Sequence, residues 1–320
     1  MAPAFIITVD TEGDNIWSRA REVTTRNAAW LPVFQEAAQR HGFRPTWLVN
    51  WEMAHAPACV EFLRDVLDRD AGEVGLHLHA WNSPPLEPLT DDDAQRHPFL
   101  GEYPEPLLQA KLERLAGVLE DTFQRPLRSH RAGRWALDAR TLHWLRKHGF
   151  TADCSVCPGI DWRSTKGNPD GNGGPDYRGA PHEPYFLDEQ NLVRPASSPG
   201  ADALLEVPMT IRPPRWPWAR SIFESYSKRH SWLRPNGRNG AALRKSVSDA
   251  VAAGREHLLF MLHSSELMPG GSPTFPTEGS ITRLKEDLAA LFAHAQACGC
   301  RGRTVGEFAA EWRTRMVQAV

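Results

Sequence analysis

Apolar and polar positions along this chain come in blocks. Phe5-Ile6-Ile7-Thr8-Val9 is an unbroken run rich in β-branched residues, and it stops abruptly at Asp10-Thr11-Glu12-Gly13-Asp14. Such a run predicts a strand buried on both faces, as in parallel sheets. Carboxylates do not enter an apolar core unpaired, so the acids mark the strand's carboxyl end. Further strands are predicted over 45–50, 73–79, 126–131, 150–156 and 257–262. Between them, helical spacing predicts helices. One covers 26–41, with Trp30, Val33, Phe34, Ala37 and Ala38 on one stripe. Others cover 59–67, 105–123 and 138–148, the last with Asp138 as cap, and then 241–253, 280–297 and 304–317. A polar, proline-rich loop occupies 82–104. From 158 to 240 the pattern breaks into Gly, Pro, Arg and Trp, with strand-like pieces at 192–194 and 204–211.

Strand and helix alternate six or more times, and parallel strands with helical crossovers are the economical arrangement. A closed barrel and an open doubly wound sheet both satisfy that pattern. A dinucleotide fold needs a glycine-rich phosphate turn after the first strand, whereas Asp10-Thr11-Glu12-Gly13 would repel phosphate. In a barrel the chemistry gathers at the carboxyl ends of the strands. The chain is read as one domain, 1–320, with an irregular insertion at about 158–240.

Composition narrows the partners. There are 39 acidic and 37 basic residues, and a net charge of −2 points to neither nucleic acid nor a membrane surface. No stretch reaches the roughly 20 apolar residues that span a bilayer. With no basic region, apolar helix and cleavage site ahead of the first strand, and with five cysteines, an odd number, the expectation is a reducing, cytoplasmic location. Cys154-Ser155-Val156-Cys157 has the spacing of zinc and redox motifs but no second pair to complete a site. The 12 tryptophans include Trp81, Trp135, Trp162, Trp216 and Trp218 near loops, where an indole serves either as core or as a platform for a sugar ring.

The predicted strand ends collect chemistry. The first carries Asp10 and Glu12, two residues apart and so on one side of an extended chain. The third carries His77 and His79 at the same spacing, the fourth ends in Arg131, and the strand over 257–262 runs into His263. Two imidazoles and one carboxylate form a common ligand set for a catalytic divalent metal. A second carboxylate can act as general base, a separate histidine as general acid, and an arginine beside the base holds it ionised.

The order of these motifs resembles the polysaccharide deacetylase family, metal-dependent de-N- or de-O-acetylases of carbohydrates. The resemblance runs from about Phe5 to Phe308 and rests on Val9-Asp10-Thr11-Glu12, Gly72-Glu73-Val74-Gly75-Leu76-His77, Arg131-Ala132-Gly133, Leu205-Glu206-Val207-Pro208 and Leu262-His263-Ser264-Ser265. It implies a distorted (β/α) barrel of parallel strands, seven- or eight-stranded, and an α/β fold. It implies Asp10 as base, Arg131 as its buttress, His77 as a metal ligand and His263 as acid. Two positions depart from the family's pattern. Thr11 stands where the family has a metal-binding aspartate, and Trp81 where it has its second metal histidine. Glu12 and His79 are expected to replace them, with Asp10 as a ligand the alternative. One divalent ion is expected, zinc foremost, with cobalt, nickel or manganese as alternatives. Trp81, Asp161 and Trp162 are weaker candidates for substrate contact. Arg212, Arg215, Trp216, Trp218 and Arg220 suggest a basic, aromatic lid over a carbohydrate that is acidic or lipid-linked. The resulting expectation is a carbohydrate deacetylase working in the assembly of a surface polysaccharide such as O-antigen or capsule. A deacetylase-like protein that binds sugar without turnover is the alternative.

Overall fold

A computed structural model describes residues 2–18, 22–165, 173–213 and 230–318. The lid residues Arg215, Trp216, Trp218 and Arg220 lie outside them. The described strands are β1 (Ala4–Thr11), β2 (Thr46–Val49), β3 (Glu73–Leu78), β4 (Ser129–Ala132), β5 (Ala152–Asp153), β6 (Tyr185–Phe186), β7 (Leu205–Glu206), β8 (Ile211–Arg212), β9 (Ser231–Trp232), β10 (His257–His263) and β11 (Arg301–Arg303). One sheet runs β10-β1-β2-β3-β4-β5-β7-β6, with β11 beside β1. From β10 to β7 every neighbouring pair is parallel. The helices are α1 (Leu31–Gln39), α2 (Trp51–Ala54), α3 (Pro57–Asp68), α4 (Asp93–Arg96), α5 (Glu105–Phe123), α6 (Ala139–Lys147), α7 (Gly240–Ala252), α8 (Glu278–Ala297) and α9 (Val305–Gln318).

The sheet curls into a half-barrel, and the gap between β7 and β10 is bridged by chain rather than by a regular ladder. Leu259 donates its N–H to Thr210 Oγ1 at 2.8 Å, and Met261 donates to the Leu233 carbonyl at 3.3 Å. This is a distorted (β/α) barrel. It departs from an all-parallel sheet at one end, where β6 pairs antiparallel with β7.

Every residue of β1 is buried, which explains its unbroken apolar sequence. Its outward side chains meet the helical layer: Phe5 lies 4.9 Å from Phe43 and 6.2 Å from Phe292 of α8. Its inward side chains at Thr8 and Asp10 reach the barrel interior, where they meet Arg131.

Two predicted elements differ. The helix expected over 26–41 is a 3-10 turn, Arg26–Trp30, followed by α1, because Pro32 lacks the N–H of a helix interior and is tolerated in a first turn. That changes the buried face: Leu31, Phe34, Gln35 and Ala38 are buried and Val33 is exposed. Gln35 is satisfied there, donating to the Ala71 carbonyl and accepting from Trp47 Nε1. The piece at 192–194 is a turn, and the strand near it is β6. The 204–211 segment supplies β7 and the start of β8, so the insertion contributes to the sheet.

Candidate active site

β1 and β3 are linked through β2 and deliver their carboxyl ends to one mouth of the barrel. Asp10 and Glu12 come from the first, His77 and His79 from the third, and all four are buried. Glu12 is held by its backbone. It donates its N–H to Ser264 Oγ at 2.9 Å, and its carbonyl accepts from Ser264 Oγ and from Asn27 Nδ2, each at 2.8 Å. Its side chain is thereby aimed at the two imidazoles.

Glu12 Oε2 lies 3.0 Å from His79 Nε2 and 3.6 Å from His77 Nε2, and the two Nε2 atoms are 3.0 Å apart. A metal with ligand distances of roughly 2.0–2.2 Å separates its tetrahedral ligands by about 3.4 Å, so this triangle suits one ion. His77 Nδ1 lies 2.9 Å from the Arg131 carbonyl, which can only accept; that places a proton on Nδ1 and turns the Nε2 lone pair inward. Two ring nitrogens and a carboxylate oxygen facing one another require a positive centre between them, a proton or a metal ion. Their titration reflects this. Burial opposes ionisation of Glu12, but His263, His77 and His79 hold its carboxyl well below the usual range. Burial would lower His77, and Asp10 with Glu12 raises it instead, whereas burial keeps His79 below the ordinary imidazole value. The donor set fits a divalent metal held by Glu12, His77 and His79.

Asp10 stands outside that triangle. Its Oδ1 accepts from Arg131 Nη1 at 2.5 Å, and its Oδ2 lies 3.8 Å from His263 Nε2. Burial would raise the Asp10 pKa, yet Arg131, His77 and His263 bring it below the usual carboxylate value. Arg131 is itself over-determined, donating to Thr8 Oγ1 and to the Cys154 carbonyl, both at 2.9 Å. His263 is the register partner of Asp10 on adjacent β10, so the two side chains share one face. His263 Nε2 also lies 3.7 Å from Glu12 Oε1. Base and acid candidates thus flank the triad from β1 and β10.

The rear of His263 was not anticipated from sequence. Glu266, three residues on, accepts the His263 backbone N–H at 2.9 Å and lies 3.4 Å from its Nδ1. Arg234 Nη2 lies 2.9 Å from the same Nδ1 and 3.0 Å from Glu266 Oε1. Burial opposes ionisation of Glu266, but Arg234 and His263 bring its pKa down to about 2. The Trp17 ring packs edge-on to His263 at 4.8 Å, and its Nε1 donates to Ser265 Oγ. A carboxylate three residues after a cap position was the legible signal for Glu266. Nothing local marks Arg234 or Trp17.

A cavity of about 390 Å³ opens above these groups, with Trp17, Trp81, Trp135 and Trp162 among its walls. Trp81 packs 4.5 Å from His79. The turn after β4 reaches the cavity by a close approach: a Cβ on Gly133 would lie 2.4 Å from the Leu78 carbonyl oxygen. Arg134 and Trp135 follow at φ 55° and 63°, left-handed conformations that cost about 1–3 kcal/mol each. The fold holds Trp135 there, with Arg131 stacked 4.8 Å from its ring and Tyr177 Oη donating to its carbonyl. Asp161 is not among the lining residues. It pairs with Arg163 at 2.8 Å and Arg178 at 3.6 Å beside Asp176. Arg212 pairs with Asp249.

No family model matches the sequence, and no curated protein matches it. Solved structures do. A protein assigned as a polysaccharide deacetylase from Mycobacterium smegmatis aligns over 99% of this chain and 92% of its own, with TM-score 0.56 and 15% identity. One assigned as a glycoside hydrolase/deacetylase from Parabacteroides distasonis aligns over 98% and 72%, with TM-score 0.66 and 13% identity. The 4-alpha-glucanotransferase of Thermococcus litoralis aligns over 97% of this chain and 40% of its own, with TM-score 0.53 and 13% identity. A shared barrel does not choose among such chemistries, so activity rests on the site. With its mostly parallel sheet, its curl and its strand-end motifs in order, the chain is a divergent representative of the fold seen in polysaccharide deacetylase structures.

Proposed function

We propose that the protein is a metal-dependent hydrolase that removes an acetyl group from a carbohydrate, by de-N- or de-O-acetylation. The observation that carries this reading is the Glu12, His77 and His79 triad flanked in one cavity by Asp10, pinned on Arg131, and by His263. A divalent ion held by the triad would polarise the acetyl carbonyl and acidify a water molecule. Asp10, kept ionised and oriented by Arg131, takes the proton of the attacking water. His263 gives a proton to the departing nitrogen or oxygen. The tryptophan walls offer flat apolar faces to a sugar ring.

We attach to this reading a zinc ion and a cytoplasmic role in assembling a surface polysaccharide such as O-antigen or capsule. All five cysteines are free, which supports a reducing compartment. Among the described residues no helix is long and apolar enough to cross a membrane. The decisive experiment is acetate release from N- and O-acetylated oligosaccharides by the zinc-loaded protein, with chelated protein as control. The departures at Thr11 and Trp81 support one second reading, a sugar-binding protein without turnover. Sugar binding with no acetate released would favour it.

A further inference from the structure

A second cavity, of about 630 Å³, adjoins the metal cavity and shares Trp17, Trp135, Trp162 and Arg234 with it. The two are therefore arms of one cleft, with Arg234 at the junction. The second arm takes its far wall from the insertion. Trp232 lies 5.7 Å from Trp135 and 6.2 Å from Trp162, with ring planes tilted by 54° and 56°, so three indoles cluster along this wall and each offers a face to a sugar ring. Ser231, Asn236 and Asn239 add polar groups to that lining.

Charge distinguishes this arm from the rest of the cleft. Among its described lining residues there is no carboxylate. Another cavity, which shares Ile16 and Trp81 with the metal cavity, is lined by Glu87, Asp91, Asp92 and Asp93, where an anion would be repelled. Arg234 is also built into place. Asn239 Nδ2 donates to the Arg234 carbonyl at 2.8 Å, and Asn236 donates its N–H to Asn239 Oδ1 at 2.9 Å, which clamps the turn. Its guanidinium is anchored by Nη2 on fully buried Glu266 and stacks near Trp17 at 5.9 Å. Among the described residues only Nη2 is hydrogen-bonded, to Glu266 and against His263 Nδ1, so Nη1 and Nε keep their donors. A guanidinium anchored by Nη2 presents its Nη1 donors at a fixed position, where they can hold an anionic oxygen by charge-assisted hydrogen bonds.

We propose that this second arm is a subsite for an anionic residue of the glycan, next to the acetylated one, with Arg234 binding the carboxylate of a uronic acid or a phosphate and Trp232 stacking on the ring. The proposal rests on the reading that the metal cavity takes a carbohydrate. It adds a substrate class: an acidic glycan of at least two residues. Arg234 is then a specificity-determining residue as well as a neighbour of His263.

Binding measured without turnover tests it. Titration calorimetry would use a tetrasaccharide alternating glucuronic acid with N-acetylglucosamine, the same compound with its carboxyls reduced to alcohols, and N-acetylglucosamine with and without a 1-phosphate. The charged form of one pair should bind about 10-fold or more tighter than its neutral form, as a charge-assisted hydrogen bond provides. Which pair shows the gap identifies uronate or phosphate as the source. The gap should shrink in high salt. It should vanish in Arg234→Gln, persist in part in Arg234→Lys, and survive in Trp232→Ala while both forms bind more weakly. Circular dichroism would establish that each variant is folded. Equal affinity of charged and neutral forms in both pairs, a gap unchanged in Arg234→Gln, or no binding of any probe at millimolar concentration overturns the proposal. A protein that prefers the charged form but releases no acetate would refute the hydrolase reading and leave the subsite standing. An active protein without the preference would do the reverse.

Discussion

Arg131 Nη1 meets Asp10 Oδ1 at 2.5 Å inside the barrel, although two strands, β2 and β3, separate β4 from β1. The contact crosses the interior instead of following the sheet, and both partners are buried. Removing one member of such a pair leaves a buried, uncompensated charge, at a cost of about 3–5 kcal/mol. Asp10→Asn should therefore lower the melting temperature while retaining bound metal. Its turnover should fall about 10²–10⁴-fold, because an amide cannot accept the water's proton. Metal analysis and acetate release on the same preparation check this. Release of the metal by Asp10→Asn would make Asp10 a ligand.

The triad predicts one divalent metal ion per chain. His77→Ala and His79→Ala each remove one of the three protein donors and should lose most of the bound metal while staying folded. Elemental analysis after dialysis, with circular dichroism alongside, measures both. Full occupancy in either variant would sink the assignment.

His263 faces the mouth from β10 and lies outside the triad. His263→Ala should keep its metal and lose about 10²–10⁴-fold in turnover of an N-acetyl sugar, where an amine must be protonated to leave. An activated aryl acetate, whose leaving group needs little protonation, should lose far less. Equal losses on both substrates would assign His263 a structural role.

Acid should expose Glu266. Its folded pKa of about 2 lies below the model-compound value of 4.5, so the unfolded chain binds the proton more readily. The stabilisation is complete above about pH 4.5 and is lost as the pH falls toward 2. Its size is roughly 3 kcal/mol. Denaturant melts at pH 6, 4 and 3 should show this loss. Glu266→Gln should be less stable at pH 6 and have a shallower decline. Parallel curves for the two proteins would argue against the Arg234–Glu266–His263 arrangement.

Most of the barrel and its mouth could be read from the chain because both follow local rules. A strand buried on both faces announces itself as a continuous apolar run, and the point where polarity returns marks its end. Two-residue alternation puts Asp10 with Glu12, and His77 with His79, on common sides whatever the fold. The antiparallel β6 and the turn at 192–194 were not legible, because two-residue pairings carry too little pattern to be told from loop.

What the amino-acid order determined by itself was the set of elements and the identity of the residues at the strand ends. Tertiary structure decided which of those residues meet. Parallel register set Asp10 against His263, and the curl of the sheet carried Arg131 across the interior to Asp10. The backbone bonds from Ser264 and Asn27 aimed Glu12 at the histidines. Arg234, Trp17 and Trp232 come to the cleft from loops and from the insertion, over sequence separations that no local periodicity encodes. Their positions follow from where the chain must travel to close a distorted barrel, and that path is a property of the whole molecule.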